Sequence, residues 1–153
     1  MAGDPFRPVD EEARGLARRL RGEARHGALA VLEPDGQPMV SRVALAPEAG
    51  GGFLALVSDL APHTAALRSD PRAGLMVGEP GRGDPLAHPR LSLRVTAAFV
   101  DKADFAETYL EAQPKARLYI GFGDFHMVRL SPVSALLNGG FGQAYKLTPV
   151  DLS

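Results

Sequence analysis

Two short apolar runs, residues 28–33 and 38–46, are separated only by Pro34-Asp35-Gly36-Gln37. Proline pre-sets φ and Asp-Gly favours a tight reversal, so the link is a turn and the runs form an antiparallel hairpin. A parallel pair would need a crossover of a dozen residues or more. The rest of the chain is equally short of linking segments. A Gly-rich turn at 49–52 leads to a third run, 53–58, and a fourth spans 73–78. Beyond a Pro/Gly-rich loop at 79–89, a fifth covers 91–100, where Leu91, Leu93, Val95, Ala97 and Phe99 alternate with Ser92, Arg94 and Thr96. That period of two marks a half-buried strand. Residues 125–138 supply one or two further strands, bent at Pro132.

Helices are few. Residues 10–26 carry Asp10, Glu11 and Glu12 at the start and Arg18, Arg19, Arg21 and Arg25 toward the end, the order that the helix dipole favours. Ala13, Leu16, Ala17, Leu20 and Ala24 form an apolar stripe, the arginines read as a solvated face, and Gly27 is the expected C′ residue. Residues 101–113 form another helix, with Phe105/Tyr109 and Ala106/Leu110 as i,i+4 pairs. Strand and helix do not alternate regularly, which excludes a doubly wound sheet. The pattern predicts one α+β domain over residues 1–153, a small antiparallel barrel with flanking helices. Residues 1–26 are its N-terminal helical part, 27–144 the barrel and 145–153 a tail.

Composition removes several function classes. The 153 residues carry 17 Lys+Arg against 18 Asp+Glu, a formal net charge of −1, so no global field draws the chain to nucleic acid or an anionic membrane. With no cysteine, thiolate metal sites and thiol nucleophiles are absent. The opening MAGDPFRPVDEEARG has no apolar signal core, and no apolar run approaches the length of a membrane helix. The expectation is a cytoplasmic domain acting on a small molecule. Neither GxSxG, HExxH nor a P-loop occurs, and His26, His63, His88 and His126 lack metal-ligand spacing. Gly140-Phe141-Gly142-Gln143-Ala144 is too short for a dinucleotide fingerprint and precedes no crossover helix. Its glycines suit a tight turn or the close approach of a flat ligand.

Two features resist a purely structural reading. In SDLAPHTAAL, residues 58–67, a strand ends and a helix begins with Pro62. A helix N-terminus is a ready anion site, and Ser58, His63 and Thr64 add polar side chains beside it; the alternative is that Ser58 or Asp59 merely caps the helix. In MVSRVAL, Met39, Ser41, Val43 and Leu45 share one strand face, and Val40, Arg42 and Ala44 the other. An arginine in mid-strand needs a partner: a phosphate, or a carboxylate such as Glu33 or Asp59.

The stretches GALAVLEPDGQPMVSRVAL and LVSDLAPHTAALRSDPRAGLMV resemble the pyridoxamine-phosphate-oxidase-like family of FMN-binding split barrels. With PRLSLRVTA, YLEAQPKARLYIGFGDF and the terminal GGFGQA, the pattern is similar to the heme-utilisation branch of that family, from about Gly27 to Ala144. The resemblance implies a six-stranded antiparallel split β-barrel that forms a homodimer, with a cofactor site at each side of the interface. It implies an FMN-binding oxidoreductase-like protein in which Arg42 holds the flavin phosphate, and the backbone of Val43 and Ala44 lies along the ring. In that reading Ser58, Asp59, His63 and Thr64 line the phosphate cradle, and Phe141 and Gln143 contribute from the Gly-rich segment. No acid or base is assigned, and no metal. The departures are equally specific. Oxidase members carry Arg-Lys where this chain has His63-Thr64, and the chain has no Trp, so pyridoxamine phosphate oxidation is not expected. The alternatives are a heme-binding protein on the same fold and a non-catalytic ligand-binding module. Heme-handling relatives place a histidine beyond the Gly-rich motif; here the tail YKLTPVDLS has none, and His126, on a strand near that motif, is the nearest substitute.

Overall fold

The computed structural model describes residues 3–153. All six expected strands form, and two more are added. In chain order the elements are α1 (Glu11–Glu23), β1 (His26–Leu32), β2 (Pro38–Ala44), β3 (Ala46–Pro47), β4 (Phe53–Ser58), α2 (Pro62–Ser69), β5 (Arg72–Val77), β6 (Arg90–Val100), α3 (Lys102–Ala112), β7 (Phe125–Asn138), β8 (Ala144–Leu147) and α4 (Pro149–Leu152). The strands pair antiparallel in one sheet, in the order β2-β1-β5-β6-β7-β4-β3, with β8 added to β7. This is the α+β split barrel that the sequence predicts.

The first extra strand comes from a break. The run expected as one strand over 38–46 is interrupted at Leu45, whose side chain is fully buried and whose N–H donates to the Arg25 carbonyl at 2.9 Å. Before the break the run pairs with β1, from Leu32 opposite Pro38 to His26 opposite Ala44. After it, Ala46 pairs with Leu54 of β4. One bent stretch therefore serves both ends of the sheet order, closing the barrel at one end and leaving a split where β2 and β4 diverge. The hairpin turn is as expected: Gly36 has φ +86°, and the Glu33 N–H donates to the Gln37 carbonyl.

β7 is one strand, not two. The pairing steps from Arg94 opposite Ser134 to Val95 opposite Pro132, so Val133 is a bulge, placed where proline has no N–H to give the ladder. Leu29, Val31, Leu75, Leu93, Val95, Val128 and Leu130 fill the barrel, with Ala13 and Ala17 of α1 packed on the same cluster. A second cluster forms where Tyr109 and Leu110 of α3 cover Leu54 and Met127 on the outer wall. β4 is covered on both faces, which is why its sequence is nearly continuous in apolar residues.

Three sequence expectations are corrected. α1 ends at Glu23, and Gly27 lies within β1. There a Cβ would sit 2.8 Å from the Met76 carbonyl, so glycine is needed for strand approach and not as a helix cap. Residues 145–153 are not a loose tail, because β8 pairs along β7 and α4 packs beneath α1. The arginines of α1 are only partly a solvated face. Arg14 Nε donates to Asp151 Oδ1 at 2.8 Å, Arg18 Nε to the Asp151 carbonyl at 3.2 Å and Arg21 Nε to the Leu152 carbonyl at 3.0 Å. Periodicity alone does not show that such a face meets another segment. No helix among the described residues is long and apolar enough to cross a membrane.

Asp151 ties this corner together. It also accepts from the Thr148 N–H at 2.8 Å and the Thr148 hydroxyl at 3.0 Å. The Thr148 amide, then Arg14, hold its carboxyl below the usual carboxylate range. A lowered native pKa contributes stability above the unfolded value of about 4, and loses it as pH falls through the native value. Asp151→Asn should cost about 1–3 kcal/mol at pH 7. In urea unfolding the gap from the parent should shrink at pH 3, and an equal gap at both pH values would contradict the assignment.

Candidate functional site

β2 sets the geometry, because successive side chains of a strand point to opposite faces. Val43 is buried in the barrel, whereas Val40, Arg42 and Ala44 are exposed on the outer face. Arg42 stands opposite Ala28 of β1, which stands opposite Met76 of β5. Together with His26, Gly78 and Pro80 these residues line a groove of about 430 Å³. Arg42 has no hydrogen-bond or ion-pair partner among the described residues: Asp59 pairs instead with His126, and Glu33 lies in the hairpin turn. It is an unneutralised cation beside a partly apolar groove.

The turn before α2 is on the other side of β2. Its helix has Pro62 in the first turn and no side-chain N-cap, so its leading N–H groups are not capped from within. Its polar side chains are largely spent on the turn itself. Ser58 Oγ accepts from the Leu60 N–H at 3.1 Å, and the buried Thr64 hydroxyl donates to the Ser58 carbonyl at 2.5 Å. Asp59 Oδ1 lies 2.8 Å from His126 Nε2. Only His63 reaches β2, where its Nδ1 lies 3.2 Å from Ser41 Oγ. Burial lowers the His63 pKa, so the ring is neutral at pH 7. When Nδ1–H donates to Ser41, Nε2 keeps a lone pair with no partner among the described residues.

Arg42 and the turn are thus neighbours along β2, through Ser41, but their side chains occupy opposite faces. The Gly-rich segment is elsewhere again. Gly139 N–H donates to the Gln143 carbonyl at 2.8 Å, Gly140 and Gly142 have φ +124° and +71°, and Phe141 at the tip is 75% exposed. Gly140 sits against the Ala87 carbonyl, and a groove along residues 85–90 shares Met76, Gly78 and Pro80 with the Arg42 groove. Arg42 and Val40 therefore share a recess that continues to residues 85–90, against which Gly140 sits, while Ser58, Asp59, His63 and Thr64 form a separate group.

His126 is not near the Gly-rich segment. It lies at the first end of the 14-residue β7, opposite Val57, and the Gly-rich turn follows the other end. Its engaged Nε2 is the less hindered ring nitrogen. The Asp59–His126 pair joins residues far apart in sequence, and only the β4–β7 register brings them together. The His63–Ser41 contact was nearer to hand, since strand alternation already sets Ser41 apart from Arg42.

On this barrel, the sequence profile described as Pyridoxamine 5'-phosphate oxidase matches residues 11–137. The chain is 33% identical over 118 residues to the chloroplastic non-canonical heme oxygenase HOZ of Arabidopsis thaliana, covering 72% of this chain. It spans only 35% of that relative's length. It is 29% identical over 147 residues to the heme oxygenase HutZ of Vibrio cholerae, covering 88% of this chain and 81% of HutZ. A solved heme binding protein from Mycobacterium smegmatis superposes with a TM-score of 0.85 at 30% identity, over 95% of this chain and 61% of that one. A profile match across most of the barrel places this chain in the pyridoxamine 5'-phosphate oxidase family.

Proposed function

We propose that this chain binds heme, and that FMN is not its resident cofactor. The observation that carries the reading is the state of the α2 turn. Where the family's oxidases have two fixed cations, this turn has a neutral His63 and a Thr64 whose hydroxyl is committed to the Ser58 carbonyl. A phosphate would meet uncapped helix N–H groups there, but no side-chain cation. An iron ligand has the opposite need: a neutral imidazole whose second nitrogen is held by a partner, which describes His63 on Ser41. Exposed Leu60 lies three residues before His63, and exposed Met39 lies two residues from Ser41 on the same strand. The likeness to two heme oxygenases, one matched over most of both chains, supports the same reading. A bound heme would supply the iron at which heme oxygenase chemistry occurs; His63 would bind and orient it, with Ser41 fixing the ring.

One observation favours a flavin as the second reading: Arg42 is a free cation beside a groove of about 430 Å³, which suits a phosphate as well as a carboxylate. Parallel titration with hemin and FMN separates the two. Hemin should give a saturable one-to-one Soret change and FMN no saturable fluorescence quenching. His63→Ala should weaken hemin binding at least tenfold, while His126→Ala leaves the spectrum unchanged. Saturable FMN quenching without a hemin complex would establish the flavin reading instead. In that case Arg42→Ala should lower FMN affinity about tenfold or more and leave riboflavin binding nearly as before, a charge-assisted contact of roughly 1.5–3 kcal/mol.

We further propose a homodimer. Met76 and Leu136 lie in one cross-strand row with Arg42, and exposed Val40 adjoins it, so the outer sheet face carries apolar surface that a second copy would cover. Light scattering at micromolar concentration should give twice the chain mass. A monomer that persists with ligand bound would refute it.

A further inference from the structure

At the end of the barrel where β7 begins, a cavity of about 320 Å³ is lined by Arg68, Phe99, Lys102, Phe125, His126 and Met127. It lies at the lower end of the roughly 300–1,000 Å³ range of ligand pockets, a size for a small ring compound and not for a porphyrin. Its walls are aromatic and apolar, and its charged groups are unevenly matched. The Arg68 guanidinium lies 4.0 Å over the Phe99 ring and has no carboxylate partner among the described residues. Lys102 Nζ donates to the carbonyls of Phe122 and Phe125, each at 2.8 Å, which leaves its charge unneutralised. Among the described residues, the single carboxylate bound to a lining residue is Asp59, held by His126 at 2.8 Å.

We propose that this mouth of the barrel is a binding site for a small aromatic carboxylate, distinct from the His63 and Arg42 positions. The Arg68 guanidinium, placed over the Phe99 ring, has N–H groups with no partner among the described residues that could bond a carboxylate, and Lys102 adds a second cation. Phe125 offers the ligand ring an apolar wall. His126, fixed by Asp59 and 6.4 Å from Phe99 in an edge-on arrangement, closes one side. A phosphate would leave the aromatic walls unused, and a neutral ring would leave the cations unanswered. A compound with both a ring and a carboxylate satisfies the whole lining.

Benzoate is the probe, with benzamide and acetate as comparators lacking the charge and the ring, read in amide nitrogen–proton spectra of the full chain. Benzoate should bind saturably with Kd of about 1 mM or below, shifting amides at 99–102 and 123–127. Benzamide and acetate should bind at least tenfold more weakly, and Arg68→Gln should weaken benzoate at least tenfold. Arg68 is exposed on α2, so the variant should fold; should it not, the benzoate–benzamide comparison on the unaltered chain decides alone. Unsaturable benzoate binding, benzamide binding equally well, an unaffected Arg68→Gln, or shifts confined to the Arg42 groove would overturn the proposal.

Discussion

Everything in this barrel depends on one stretch of chain pairing with two neighbours. Residues 38–44 satisfy β1, residues 46–47 satisfy β4, and Leu45 turns between them with its side chain in the core and its N–H on Arg25. A straight strand would stay with one edge and leave the sheet open, exposing an unpaired ladder. The bend closes one end of the barrel at the expense of the other, where β2 and β4 part. That opening is bridged by α2, which among the described residues makes one side-chain hydrogen bond to β2, His63 to Ser41. The candidate ligand position is therefore a by-product of closure: it lies where the sheet fails to zip.

The same bend fixes what faces outward. Because side chains alternate, placing Val43 in the core obliges Arg42 to point away from it. Arg42 is thus denied the carboxylates within reach of the α2 turn, where Asp59 has been taken by His126. A mid-strand arginine without a counter-ion is tolerable only on a solvated or ligand-covered face. Its neighbours in the row, Met76 and Leu136, are apolar and exposed on the same face.

The barrel was legible in the sequence because its signals are local. The Pro-Asp-Gly turn, the period of two in Leu91–Phe99 and the proline in β7 each act within a few residues. The fate of polar side chains was not legible, because it is settled by register between distant strands. Nothing local to Asp59 shows that β7 begins beside it, and nothing local to Arg14 or Arg21 shows that α4 packs beneath α1. So a turn rich in Ser, Asp, His and Thr looked like a donor-lined cradle, whereas three of its four side chains are bonded to near neighbours or to His126. His63 escapes this because its ring crosses the split.

The near-zero net charge of the chain gives it weight only in detail. Arg14, Arg72 and Arg129 are answered by carboxylates, the last by a bidentate pair with Glu48 at 2.7 Å on both bonds. Arg18, Arg21 and Arg90 are spent on backbone carbonyls. Arg7, Arg19, Arg42, Arg68 and Arg82 have no hydrogen-bond or ion-pair partner for their side chains among the described residues, and of these Arg42 and Arg68 each line a cavity. A guanidinium on the surface costs little without a partner, but one that lines a recess raises the local potential in a space of lowered dielectric, where an anion gains most. With no field from the rest of the molecule to mask or reinforce them, these two recesses are places where an anionic group would be drawn, Arg68 with Lys102 beside it, and they open on different parts of the barrel. A ligand with a charged arm and a flat body would be selected by the recess it fits, the long outer groove at Arg42 or the short aromatic mouth at Arg68, so discrimination between ligands falls to shape once charge has drawn them in.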